Sequence, residues 1–312
     1  MPHAPWPELD YAASAPTLHT LHLFTQIVGK VRLAQTPWLN HSWSVPLYVS
    51  PRGMTTGNVP HGTRAFDMEF DLIDSVLRIR SDAVGAGMGA EIALPGLTVA
   101  DFHGQVLGAL RDLGLPVRID GARNELPVAV PFARDHAPRV YDAAQATAFF
   151  RVLLIANCIL KTFRTGFIGK ASPTHFFWGS FDLAVTRFSG RRAPPHPGGI
   201  PHLPDAIARE AYSHEVSSAG FWPGGPGCEE AVFYSYAYPE PPGFRDAKLG
   251  VAGARFDAGM GEYVLPWRVA RRSFSRRDGG GARRLPKFCK HSCRRLPTSG
   301  LVLANNAISC SD

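Results

Sequence analysis

A chain of 312 residues with 45% hydrophobic side chains is long enough to bury a sizeable core, as one large domain or two small ones. It has no apolar run of about 18 residues: FFRVLLIANCIL (149–160) is interrupted by Arg151 and Asn157 and reads as a core helix, and MPHAPWPELD lacks the segments of a signal peptide. The net charge of +7 comes from the end, since residues 268–312 carry 11 Lys and Arg against 2 Asp and Glu, while residues 1–267 carry 22 against 24, too balanced for a general nucleic-acid-binding face.

Residues 17–33 predict a first helix, with Leu18, Leu21, Phe24, Val28 and Val31 on one face and His22, Gln26 and Lys30 four apart on another. His19 and His22 read as hydrogen-bonded or solvated rather than metal-binding, because no nearby carboxylate completes a ligand set. In FDMEFDLI (66–73) apolar and acidic residues alternate strictly, the pattern of a strand with one solvated face. A two-residue turn at Asp74-Ser75 would set Asp71 opposite Arg78 and Glu69 opposite Arg80. GAGMGA (85–90) matches the dinucleotide fingerprint, but Pro95 follows too soon for the required helix, so a glycine-rich loop or bulge beside a strand is expected.

A second helix is expected over 98–114, capped by Thr98 and stopped by Gly114. An irregular Pro-rich link leads to a long third helix, 139–165, apolar nearly all round its middle. Strands are expected at 174–178, 181–188, 214–219 and 231–238. The order predicts an α+β fold: a mostly antiparallel sheet packed against the long buried helix and two further helices, formed by residues 1–267 as one domain, with a basic, irregular tail over 268–312. Cys158 and Cys228 read as buried thiols in a reducing, cytoplasmic setting. In the tail, CKHSC (289–293) is half a zinc motif with no second pair to complete it.

The stretch GKASPTHFFWGSFDLAVTRFSGR (169–191) concentrates Lys170, His175, Asp182, Arg187 and Arg191 among aromatic rings. Alternation turns Asp182, Ala184 and Thr186 to one side, where small residues leave room. AYSHEVSSAGFWPGG (211–225) adds His214 and Glu215 on opposite faces, with Trp222 at a loop. VFYSYAY (232–238) aligns Tyr234, Tyr236 and Tyr238, a row that reads as core packing with a ligand platform as the alternative.

These blocks, with the early segments TLHLFTQIVGK and NHSWSVPLYVS, resemble the diagnostic segments of a bacterial domain-of-unknown-function family, over about residues 6 to 267. The resemblance implies a cytosolic globular protein, transfers no activity, and directs attention to Lys30 and His41 beside the residues above. It also implies a helical, acidic and apolar ending, whereas the chain runs on from LPW (265–267) into basic, Cys-containing sequence like that of a shifted reading frame.

Two functions fit these residues. In an enzyme or small-molecule-processing site, His175, Asp182, His214 and Glu215 are the catalytic or metal-ligating candidates. Lys30, His41, Lys170, Arg187, Arg191, Trp222 and Tyr234 would bind a small anionic substrate. In a non-catalytic binding or interaction module the aromatic residues hold a ligand. A cluster of polar groups that merely satisfy one another is the third reading. No motif selects a cofactor, a metal or a reaction class; membrane association is not expected, and nucleic acid only through the tail.

Overall fold

In the computed structural model, residues 6–83, 89–128 and 130–275 are described. Side-chain caps start the three long helices. Asp10 accepts from the Ala12 N–H to open α1 (Tyr11–Gln35), and Thr98 and Asp101 form a capping box for α2 (Val99–Asp112). Asp142 accepts from Ala144 and Gln145 at the start of α3 (Ala143–Thr165). Gly114 follows α2 at φ 72°, a left-handed conformation suited to the stop of that helix.

Two antiparallel sheets account for the strands among the described residues. The first contains β1 (Tyr48–Val49), β2 (Gly53–Thr55), β3 (Val59–His61), β4 (Arg64–Asp71), β5 (Val76–Ser81) and β6 (Gly89–Ala93). Its order is β1-β2-β4-β5-β6, with β3 also on β4. The second contains β7 (His175–Phe177), β8 (Asp182–Arg192), β9 (His214–Trp222), β10 (Val232–Tyr238), β11 (Arg255–Asp257) and β12 (Glu262–Pro266), in the order β11-β12-β10-β9-β8-β7. Leu47 and Phe176 exchange backbone hydrogen bonds of 2.9 and 2.7 Å and join the two sheets. The short helix α4 (Asp205–Ala211) precedes β9, and α5 (Trp267–Ser275) follows β12.

The expected α+β fold is therefore present. α3 lies against β8 and β9 and buries Phe149, Phe150, Leu153, Leu160 and Phe163, which accounts for its apolar composition. Cys158, expected to be buried, is exposed on α3 because it falls on the side turned away from the sheet; Cys228 is partly buried.

The hairpin of β4 and β5 groups its side chains on the two expected faces, but the register differs from the expected one. The acidic face is not solvated throughout, since Asp71 and Glu69 are buried against Arg52, Arg78 and Arg80. Glu69 pairs with Arg78 and Asp67 with Arg80, two residues from the predicted pairing, around a four-residue loop at 72–75. Leu72 is fully buried, and the Asp71 carboxylate accepts the N–H groups of Ile73 (3.0 Å) and Asp74 (2.9 Å), so the chain cannot turn as tightly as Asp74-Ser75 alone would allow. Asp71 and Arg78 still share a face, with Nε 3.3 Å from Oδ2. Residues 84–88 lie outside the described residues; a strand, β6, follows them where a dinucleotide fingerprint requires a helix.

Helix also runs beyond Trp267. The Trp267 ring stacks on Trp6 at 4.9 Å and donates its Nε1–H to the Pro7 carbonyl at 2.9 Å, while Arg271 donates to the Trp6 carbonyl at 2.7 Å. Residues 268–275, expected to be irregular, thus belong to a docked helix; the rest of the predicted tail, 276–312, lies outside the described residues.

Two substitutions test this packing. A Cβ on Gly29 of α1 would lie 2.2 Å from Trp178, whose buried ring donates to the Val45 carbonyl at 3.1 Å. Gly29→Ala is expected to lose about 1–3 kcal/mol by overpacking, against the ~1 kcal/mol that Ala gains in helix propensity, read from the urea midpoint. Burial alone would raise the Asp71 carboxyl. Hydrogen bonds from Arg52, from the Asp74 and Ile73 backbone and from Arg78 outweigh it and hold the group below its usual range. This stabilisation is present above the unfolded carboxyl value and lost as pH falls through the folded one. Asp71→Asn is expected to lose about 3 kcal/mol at neutral pH, and the deficit should shrink on acidification.

Candidate functional site

The register of the second sheet builds a concave surface on the side away from α3. Ala184 and Thr186 of β8 lie beside Gly220 and Ser218 of β9, and these lie beside Tyr234 and Tyr236 of β10. The two-residue period brings Asp182, Trp222 and Glu262 to the same side. Together with Glu125, Phe177, Ser180, Tyr212 and Met260 they line a cavity of about 380 Å³.

Each wall has a local cause. The Tyr234 ring lies across β9 because residue 220 is Gly: a Cβ there would sit 2.3 Å from the phenol oxygen. Tyr234 donates its hydroxyl to Asp182 Oδ2, and Ser180 donates to Oδ1. The Tyr212 and Tyr236 hydroxyls are 2.8 Å apart, and those of Thr186 and Ser218 are 3.1 Å apart.

Glu125 arrives from the irregular link between α2 and α3. The Gln26 side chain on α1 clamps the Asn124 backbone through two hydrogen bonds of 2.9 Å, to its carbonyl and from its N–H. The Glu125 N–H donates to the Pro201 carbonyl at 3.0 Å. These bonds hold Glu125 at φ 58°, a left-handed conformation that a residue with a Cβ seldom adopts. Its carboxyl lies over Gly179, where a Cβ would come within 2.0 Å of Oε1. The link itself is anchored by Asp135, ion-paired with both Arg123 and Arg139.

Burial and mutual repulsion set the protonation of this cavity. Burial, then the Asp182 charge, pushes Glu125 up to about 7. Burial, then Asp182 and Asp257, pushes Glu262 up to about 8. Asp182 is raised by burial, which the hydrogen bonds from Ser180 and Tyr234 only partly offset. Burial and the neighbouring acids also raise the phenols: Tyr212, whose hydrogen bond with Tyr236 partly offsets this, to about 12, and Tyr234 and Tyr236 well above their usual value, so they remain hydrogen-bond donors.

Of the residues singled out from sequence, Asp182, Trp222 and Tyr234 line this cavity. The others lie elsewhere. His175 is buried on β7, its ring 4.6 Å from Phe177 and its pKa lowered to about 3 by burial and Arg32. Lys170 donates to His41 Nε2 at 3.2 Å, its ammonium 5.2 Å from the Trp43 ring and 5.1 Å from Phe188, with His214 6.1 Å from His41. His41 in turn donates Nδ1–H to the Ala211 carbonyl at 3.0 Å. Glu215 pairs with Arg191 and accepts from Ser189 at 2.8 Å. Arg187 faces α3, stacked 3.6 Å over Phe163. Lys30 reaches Asp120 at 3.7 Å.

Sequence reasoning missed Glu125, Ser180, Tyr212 and Glu262 as site residues. The alternation of EYVLP (262–266) behind a Gly-containing turn was a usable signal for Glu262. No local signal marks Glu125, whose position is set by partners distant in sequence. Among the described residues, no three His, Cys, Asp or Glu side chains are grouped to hold a metal ion.

No curated protein and no solved structure matches the chain. A family model does match, over residues 6–279, and so takes in both the cavity and α5: the chain belongs to a family of unknown function, DUF5996.

Proposed function

We propose that the protein handles a small organic molecule in the cavity of the second sheet, with Glu125 and Glu262 exchanging protons with it. The observation that carries this reading is that the carboxyls of both glutamates line the cavity without a hydrogen bond or ion pair to any described protein group. Carboxyls raised to near neutrality are suited to give and take protons at physiological pH. Asp182, anchored by Ser180 and Tyr234, supplies a further carboxyl in the same lining, and the aromatic walls supply contact area.

The charge of the site argues against the anionic substrate expected from sequence. Lys170, Arg187 and Arg191 are engaged outside the cavity, whose lining among the described residues includes three carboxyl groups and no Lys, Arg or His. An uncharged or cationic ligand fits this surface. Thermal-shift screening with sets of small amines, polyols and carboxylic acids tests the reading. Amines or polyols are expected to raise the melting temperature, and Glu125→Gln should weaken the effect. Preferential stabilisation by carboxylic acids, abolished in Lys170→Ala, would move the site to the His41–Lys170 cluster.

A pH profile checks the electrostatics without any ligand. Glu262 keeps its proton up to about pH 8 when folded but releases it near the ordinary carboxyl value, about 4.3, when unfolded. Between these limits the folded state binds more protons, so its stability falls as pH rises. Glu262→Gln removes this loss. The variant is expected to match the parent near pH 4 and to exceed it by on the order of 1–3 kcal/mol above pH 8, after allowance for solvent reaching the group. Parallel melting curves across that range would show that Glu262 ionises normally.

A further inference from the structure

We infer that the molecule this cavity selects is a small alkylammonium cation, seated against the Tyr234, Tyr236 and Trp222 rings and balanced by Asp182, Glu125 and Glu262. The inference rests on the reading of the cavity as a ligand site and adds the class of ligand.

Three observations converge on it. First, among the described residues the cavity gathers acidic groups without a basic side chain in its lining, which suits a ligand that brings positive charge. Second, the Tyr234 and Tyr236 rings are nearly parallel, 17° apart with centroids at 6.1 Å, and stand beside those carboxyls. Aromatic faces carry negative potential and attract organic cations without demanding a directional hydrogen bond. Third, both Asp182 oxygens already accept hydroxyl hydrogens, so this residue offers a fixed charge more than a free donor–acceptor pattern of the kind that reads sugar hydroxyls.

Size points the same way. About 380 Å³ admits a ligand of several heavy atoms, near the lower end of organic-ligand pockets. The carboxyls are not grouped as a metal cage, which suits a cation whose charge is spread over an ammonium head. Entry of that charge favours ionised Glu125 and Glu262, so binding should release protons at neutral pH and tighten as pH rises toward 8.

Calorimetry on the full chain tests this with choline, tetramethylammonium and n-butylammonium, and with 3,3-dimethylbutan-1-ol as the uncharged analogue of choline. At least one cation is expected to bind, with choline roughly tenfold tighter than the alcohol. Titration in two buffers of different ionisation enthalpy should reveal proton release. Glu125→Gln and Glu262→Gln should each weaken the cation several-fold more than they weaken the alcohol, with circular dichroism confirming that both variants fold. Equal binding of choline and the alcohol would overturn the cationic assignment while leaving the cavity as a ligand site. Failure of every probe at millimolar concentration would overturn the assignment, and a negative amine, polyol and acid screen besides would overturn the cavity reading as well.

Discussion

The polar edge of α1 is the constraint on which the site depends. His22, Gln26 and Lys30 repeat every fourth residue, so they form one stripe on the helix. His22 Nε2 bonds the Gly179 carbonyl at 2.8 Å, Gln26 holds Asn124, and Lys30 reaches Asp120. One stripe thus fixes the turn that carries Ser180 and the link that carries Glu125. Burial lowers the His22 pKa to about 4, despite the bonds to the Gly179 and Trp178 backbone, so this support remains neutral over the range in which the cavity glutamates titrate. Support and cavity respond to pH separately.

The second sheet divides its two faces by chemistry. Toward α3 it presents Leu183, Val185, Ala219, Phe221 and Phe233, all buried in the hydrophobic core. Arg187, on that same side, is accommodated by the Phe163 ring and carbonyl. The opposite side combines phenols, hydroxyls and carboxyls, and its small residues at 184, 218 and 220 leave the volume that large ones would fill. A packed core behind the sheet keeps the strands in register, and register decides which polar groups meet in front.

Much of this was legible in the chain itself, and the exceptions have physical reasons. Apolar spacing located α1, α2 and α3, and two-residue alternation placed Asp182 with Ala184 and Thr186 and aligned the tyrosines of β10. The spacing of the tyrosine row favours core packing over a ligand platform, yet Tyr234 and Tyr236 line the cavity, because the open space depends on the glycine across the ladder and not on the aromatic strand. The hairpin showed its faces but not its register, which Leu72 burial and the Asp71 cap decide. Alternate residues of a strand point to opposite sides, which separates Arg187 from Asp182, while His175, although opposite Ala184 in the ladder, is not among the lining residues. Glu125 was hidden since its backbone conformation answers to Gln26 and Pro201, which are remote in sequence.

The contact of Trp267 with Trp6 and Pro7 has a kinetic meaning. Its hydrogen bond joins residues 260 positions apart, so forming it in an otherwise unfolded chain closes a loop of nearly the whole described length. Relative to a loop of about 30 residues, that closure carries roughly 2 kcal/mol more entropy loss. The contact therefore forms late, after the two sheets have shortened the path between the segments. It is also an early one to open, and α5 and the segment around Trp6 should exchange their amide hydrogens together, ahead of β8 and β9.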